Sequence, residues 1–140
     1  MPLDECSFVS MYKGDIERPW LGIKITNPHT NKSLFVYGLV DTGADECAIP
    51  ASYAELLGHI LKDGEAKKLH TGSGETIAYS HTTIIEIYHT ITKKHVFTIE
   101  KVLIDFTENL SCPLLGVNNF LNKFILKIDY PNKTFSIKYP

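Results

Sequence analysis

The chain contains no apolar run near the ~20 residues that a membrane-spanning helix needs. It has no block of lysine or arginine, no internal repeat and no low-complexity tract. The first two absences, with a net charge of -2 spread along the chain, exclude nucleic acid and anionic membrane as default partners. The first ten residues include Asp4 and Glu5 and no apolar core of a leader peptide, so a cytoplasmic protein is expected. The three cysteines, Cys6, Cys47 and Cys112, are odd in number and far apart, which fits neither a disulfide framework nor a metal knuckle. The six histidines never fall at H-x-x-x-H or H-E-x-x-H spacing, so neither a metal nor a cofactor is expected.

What is present fits one domain, because 140 residues suffice for one core and are too few for two ordinary ones. Its bounds are predicted at 18–140, after a loose N-terminal segment over 1–17. Glycine and proline punctuate short segments rich in Ile, Val, Thr and aromatics, the pattern of an all-β domain. Alternation predicts a strand from Trp20 to Thr26, turn chemistry over Asn27–Lys32, and a second strand over Ser33–Val40. Pro50 and Gly58 bracket a short helix over Ala51–Leu57. Strands at 67–69 and 76–88 flank a glycine-rich tip, Thr71-Gly72-Ser73-Gly74-Glu75, as in a protruding hairpin. Further strands are predicted at His95–Ile104, Phe124–Asp129 and Thr134–Tyr139, with one or two helical turns over Asn118–Lys123.

The chemistry-bearing segment is Leu39-Val40-Asp41-Thr42-Gly43-Ala44. An aspartate that closes an apolar strand and is followed at once by Thr-Gly is a carboxylate at a tight turn: the strand gives rigidity, the turn exposure. The tripeptide alone is weak, since average frequencies place Asp-Thr-Gly somewhere in about three per cent of chains this long. Its setting adds weight. The segment resembles the active-site signature of the retropepsin-like aspartic proteases, and the Ala after Gly is the retropepsin form. Downstream, in the family's order, come the glycine-rich Leu69–Thr76 in the place of a flap, the strand Ile84-Ile85-Glu86-Ile87, and Leu114-Leu115-Gly116 followed by Val117–Lys123. The likeness spans roughly residues 20 to 140.

The resemblance implies a closed all-β barrel with one or two short helices, of the cellular or bacterial rather than the viral type, because compact viral enzymes lack the helix at 51–57. It implies an aspartic endopeptidase with Asp41 as catalytic acid and base, Thr42 bonding across a two-fold axis, and Gly43 giving close backbone approach. Ala44, Asp45, Gly72, Ser73 and Gly74 would contact an extended peptide or unfolded protein. Aspartic proteolysis needs two carboxylates about 3 Å apart sharing one proton. Only one Asp-Thr-Gly occurs, so the resemblance implies a homodimer. In retroviral enzymes Asp45's counterpart pairs with an Arg just after the downstream Gly, where this chain has Val117. The alternative is a catalytically silent peptide- or protein-binding module of the same fold. Asp105 and Asp129 also close apolar segments, but neither precedes Thr-Gly, so both are predicted as turn residues. Cys47 is predicted to pack in the core.

Overall fold

The computed structural model describes residues 2–71 and 74–140. Among the described residues ten strands form two sheets: β1 Pro2–Ser7, β2 Trp20–Thr26, β3 Ser33–Val40, β4 Ala48–Pro50, β5 Glu65–Thr71, β6 Gly74–Tyr88, β7 His95–Thr107, β8 Leu114–Leu115, β9 Ile125–Asp129 and β10 Thr134–Lys138. One short helix, α1, spans Ser52–Leu56, and 3-10 turns occupy Leu61–Asp63 and Leu121–Lys123. The larger sheet runs β2-β3-β8-β4-β7-β6-β5, and β2 also pairs with β6. Six strands therefore form a ring, with β5 attached outside it. The core fills that ring: Leu21, Ile23, Ile25, Ile49, Ile85, Ile87, Ile104, Phe106 and Leu115 are all fully buried.

Local chemistry explains most boundaries. The β2–β3 turn closes by Asn27 N–H to Lys32 O and Asn31 N–H to Asn27 O, with Asn31 at φ +61, a conformation asparagine tolerates better than most residues. Pro50, which cannot donate to a ladder, ends β4 and hands the chain to α1. Gly58, at φ +77, ends the helix in the left-handed conformation. The alternation predicted over β2 holds from Ile23 to Thr26, where Ile23 and Ile25 are buried and Lys24 and Thr26 half-buried, but Trp20 to Ile23 are buried without a break. The strand is hydrogen-bonded on both sides, by β3 and β6, and its first four residues are packed on both faces, so the period-two signal disappears there.

Three further predictions are corrected. The N-terminal segment is not loose over its whole length: β1 pairs with β10, and Leu3, Cys6 and Phe8 are buried. Val9 and Arg18 then exchange both backbone hydrogen bonds, so residues 10–17 form a loop closed at its base. β7 runs to Thr107 rather than Ile104, which places Asp105 inside a strand, buried, and not at a turn. The smaller sheet, ordered β1-β10-β9, joins the ring through aromatics, with Phe97 stacked on Tyr139 at 5.1 Å and edge-on to Phe124 at 5.7 Å.

Candidate active site

Asp41 follows directly on β3, where the strand is held from two directions. Leu39 and Val40 pair in parallel with Leu114 and Leu115 of β8, and Val40 N–H donates to Pro19 O. The Asp41 N–H donates to Leu115 O at 3.1 Å. The chain then turns sharply: Ala44 N–H donates to Asp41 O at 3.2 Å, and Gly43 N–H donates to Asp41 Oδ1 at 2.9 Å. One carboxylate oxygen is thus fixed by the turn's own backbone. Asp41 is half-buried, while Thr42 and Gly43 are exposed.

The loop 44–46 is clamped from behind by the chain that leaves β8. Val117 N–H donates to Ala44 O at 2.9 Å and Asn118 N–H to Asp45 O at 2.7 Å, and the Asn118 side-chain amide donates to Glu46 Oε1 at 3.1 Å. Gly116 makes this possible: a Cβ there would lie 2.3 Å from Glu46 O and 2.7 Å from Ala44 O. Thus Val117 and Asn118, where an arginine was sought, brace the loop mainly through the backbone, leaving the Asp45 side chain exposed.

Two clefts flank this loop. One, of about 510 Å³, is lined by Asp41 and Thr42 with Arg18, Pro19, Val40, Ile128 and Tyr130. The other, about 480 Å³, has Gly43, Ala44, Asp45 and Glu46 on one side and the outer strand's Lys67 to His70 on the other. Asp41, Thr42, Gly43, Ala44 and Asp45 thus lie in one loop, with Gly43 to Asp45 facing β5 of the β5–β6 hairpin across the second cleft. Gly74 opens β6 at φ +119. Gly72 and Ser73, the tip of the predicted flap, lie outside the described residues.

The second cleft also holds an ion pair that the sequence did not signal. Asp105 is almost wholly buried, and its Oδ1 accepts a hydrogen bond from Ser80 Oγ at 2.8 Å. Oδ2 has no well-aligned donor but lies 2.9 Å from the Lys67 ammonium, so charge compensates it. The cue available was only that Asp105 sits within an apolar run. Arg18, the chain's single arginine, was also missed. It lines the Asp41 cleft while bonding Asp15 Oδ1 at 2.9 Å, and one arginine before Pro-Trp carries no pattern of its own.

Other candidates fall away. Cys47 is fully buried, and burial first, opposed by a hydrogen bond with the Gly116 backbone and aided by the charges of Glu46 and Asp105, pushes its thiol up to about 12. A thiol so protonated is no nucleophile. Asp129 caps a surface turn, accepting from Asn132 N–H and its side-chain amide. Among the described residues no three His, Cys, Asp or Glu side chains are grouped to hold a metal ion, and no helix is long and apolar enough to cross a membrane.

No protein-family model matches the sequence, and no curated protein does. Among solved structures, the chain is similar to a retropepsin-like aspartic protease from Rickettsia conorii, with 20% identity, a TM-score of 0.61, and 95% of this chain and 98% of that one covered. It is also similar to the EIAV protease complexed with the inhibitor HBY-793, at 17% identity and a TM-score of 0.42 over 76% of this chain and 86% of that one. The first of these likenesses spans 95% of the chain: the chain has the retropepsin-like fold.

Proposed function

We propose that the protein is an aspartic endopeptidase that works as a homodimer, with Asp41 of each copy supplying one carboxylate of a dyad. The observation that carries this is the Asp41 loop: a carboxylate with one oxygen held by Gly43 N–H, in an open cleft, on a fold shared with aspartic proteases. One such group cannot act alone. Two carboxylates close together cannot both ionise cheaply, so one keeps a proton and polarises the scissile carbonyl while the other takes a proton from water. Water then adds to the carbonyl carbon, and the proton held by the dyad passes to the leaving amine.

The remaining residues have positioning roles. Thr42, exposed beside Asp41, is available to hydrogen-bond its counterpart across the axis. Ala44 and Asp45 would line the peptide's path, and the β5–β6 hairpin, with Gly72, Ser73 and Gly74 at its tip, would fold over an extended peptide and exclude water. The test is cleavage of an unfolded protein near pH 5. The parent is expected to cleave, Asp41→Asn to be silent with unchanged melting, and a peptide analogue carrying a hydroxyl in place of the scissile carbonyl to raise the parent's Tm. Cleavage that persists in Asp41→Asn would refute the assignment.

A further inference from the structure

The cleft between loop 43–46 and β5 has an apolar floor, formed by Ala44, Ala48, Leu69 and Leu114. One end of it is ionic. There the Lys67 ammonium lies 2.9 Å from Asp105 Oδ2, with the Asp105 side chain 2% exposed and that of Lys67 38% exposed. The carboxylate is sealed behind the ammonium, and the ammonium is the part of the pair that a bound molecule can reach. Ser80 Oγ holds the other carboxylate oxygen, and among the described residues no aligned hydrogen-bond donor reaches Oδ2. Along β5, Lys67 and Leu69 are half-buried while Lys68 and His70 are exposed, the alternation of a strand with one face turned to the cleft. The opposite wall is acidic, with Asp45 and Glu46. Glu46 accepts from the Asn118 amide through one oxygen and has a second to offer.

A buried ion pair contributes little to stability beyond what apolar residues of the same volume would. Its presence beside the Asp41 loop calls for another role. We propose that the Lys67–Asp105 pair makes this cleft a specificity pocket for a carboxamide side chain, glutamine or asparagine, on the substrate peptide. The inference rests on the peptidase reading above and names a substrate feature that the same site selects.

The chemistry of the two walls chooses the side chain. An aliphatic group would cover the Lys67 ammonium and give it no acceptor, leaving a charge desolvated. Lysine or arginine would set a second cation against Lys67. A carboxylate would satisfy Lys67 but enter among Asp105, Asp45 and Glu46. A carboxamide fits both walls without adding charge: its oxygen accepts from Lys67 and its N–H groups donate to the acidic side. Asp41 and Thr42 line the other cleft, and this one begins at Gly43, so the selected residue stands beside the cut and not at it. In a homodimer the pocket occurs twice, once on each side of the cut.

Binding to the Asp41→Asn chain tests this without cleavage. The probes are octapeptides in which each position in turn carries Gln, Glu or Leu on a constant background. At a position on each side of the centre, Gln should bind at least about tenfold more tightly than Leu or Glu. Adding Lys67→Met with Asp105→Leu removes both charges together and strands neither, and should turn the preference to Leu. Glu46→Gln, which keeps an oxygen for Asn118, should raise the affinity for Glu relative to Gln at least about threefold. Equal affinities for Gln and Leu at every position, a Gln preference unchanged in the Lys67→Met/Asp105→Leu variant, an unchanged Glu-to-Gln ratio in Glu46→Gln, or no binding of any peptide would overturn the proposal. A Gln preference that the double change abolishes, in a parent chain that cleaves none of the peptides, would count against the peptidase and leave the pocket standing. Cleavage by the parent with no preference at any position would count against the pocket alone.

Discussion

Replacing Gly116 by alanine should cost the fold about 3 kcal/mol and with it the geometry of the Asp41 loop. The added Cβ would sit 2.3 Å from Glu46 O, 2.6 Å from Glu46 C and 2.7 Å from Ala44 O. All three are backbone atoms, so no side chain can swing aside. Either β8 or loop 44–46 must shift by the better part of an ångström, and overpacking of this kind costs about 1–3 kcal/mol. The shift also stretches two hydrogen bonds, Val117 N–H to Ala44 O and Asn118 N–H to Asp45 O, each contributing about 0.5–1.5 kcal/mol. For a domain of this size that corresponds to a Tm lower by about 10 °C, measured by circular dichroism or calorimetry. Gly43→Ala is the control: its Cβ would meet only Asp41 Oδ1, at 3.3 Å, so stability should fall by about 1 kcal/mol or less. If Gly116→Ala melts within about 3 °C of the parent, loop 44–46 is not clamped by β8 as described.

Acid should weaken the fold through His59. Its ring lies against His81, tilted by 33° with centroids 4.3 Å apart. Its Nδ1 accepts from the Asn27 amide, which cannot turn round because it also donates to Leu57 O and its oxygen accepts from His29 N–H. Burial, then the charges of His81 and His29, depress its pKa to about 4. A histidine so depressed contributes stability that is complete above the unfolded value near 6.5 and is lost as pH falls from there toward 4. The loss, about 1–2 kcal/mol after screening at this partly exposed ring, should vanish from pH-dependent melts of His59→Phe; an unchanged acid slope would exclude His59 as its source. Lys67→Met should strand the buried Asp105 charge and cost about 2–3 kcal/mol, less than a fully buried pair because Lys67 is partly exposed; denaturant titration showing under about 0.5 kcal/mol would contradict the pairing. Thr42→Ala should weaken dimerisation by sedimentation while leaving monomer far-UV dichroism unchanged, and unaltered association would remove Thr42 from the interface.

The sequence made legible those parts of the fold whose chemistry is local. The β2–β3 hairpin was readable from Asn27–Lys32, α1 from Pro50 and Gly58, and the β5–β6 hairpin from its glycine-rich tip. The Asp41 turn was readable because Thr-Gly directly follows an apolar strand. What escaped depended on partners distant in sequence. β1 reads as polar because it forms a sheet edge, and only pairing with β10, over a hundred residues away, orders it. Asp105 looked like a strand-closing acid because its compensation comes from Lys67 and Ser80 on other strands. Val117 and Asn118 brace loop 44–46 through their backbone N–H groups, which no side-chain pattern announces. β2 loses its alternation over Trp20–Ile23 because both faces are covered there.

The central claim, that Asp41 is half of an active site, is tested most directly by mixing parent and Asp41→Asn chains at fixed total concentration and allowing subunits to exchange. If each site needs an Asp41 from both copies, activity falls as the square of the parent fraction, to about a quarter at equal mixing. Activity that falls only in proportion, to about half, would mean that each chain works alone and would contradict the account.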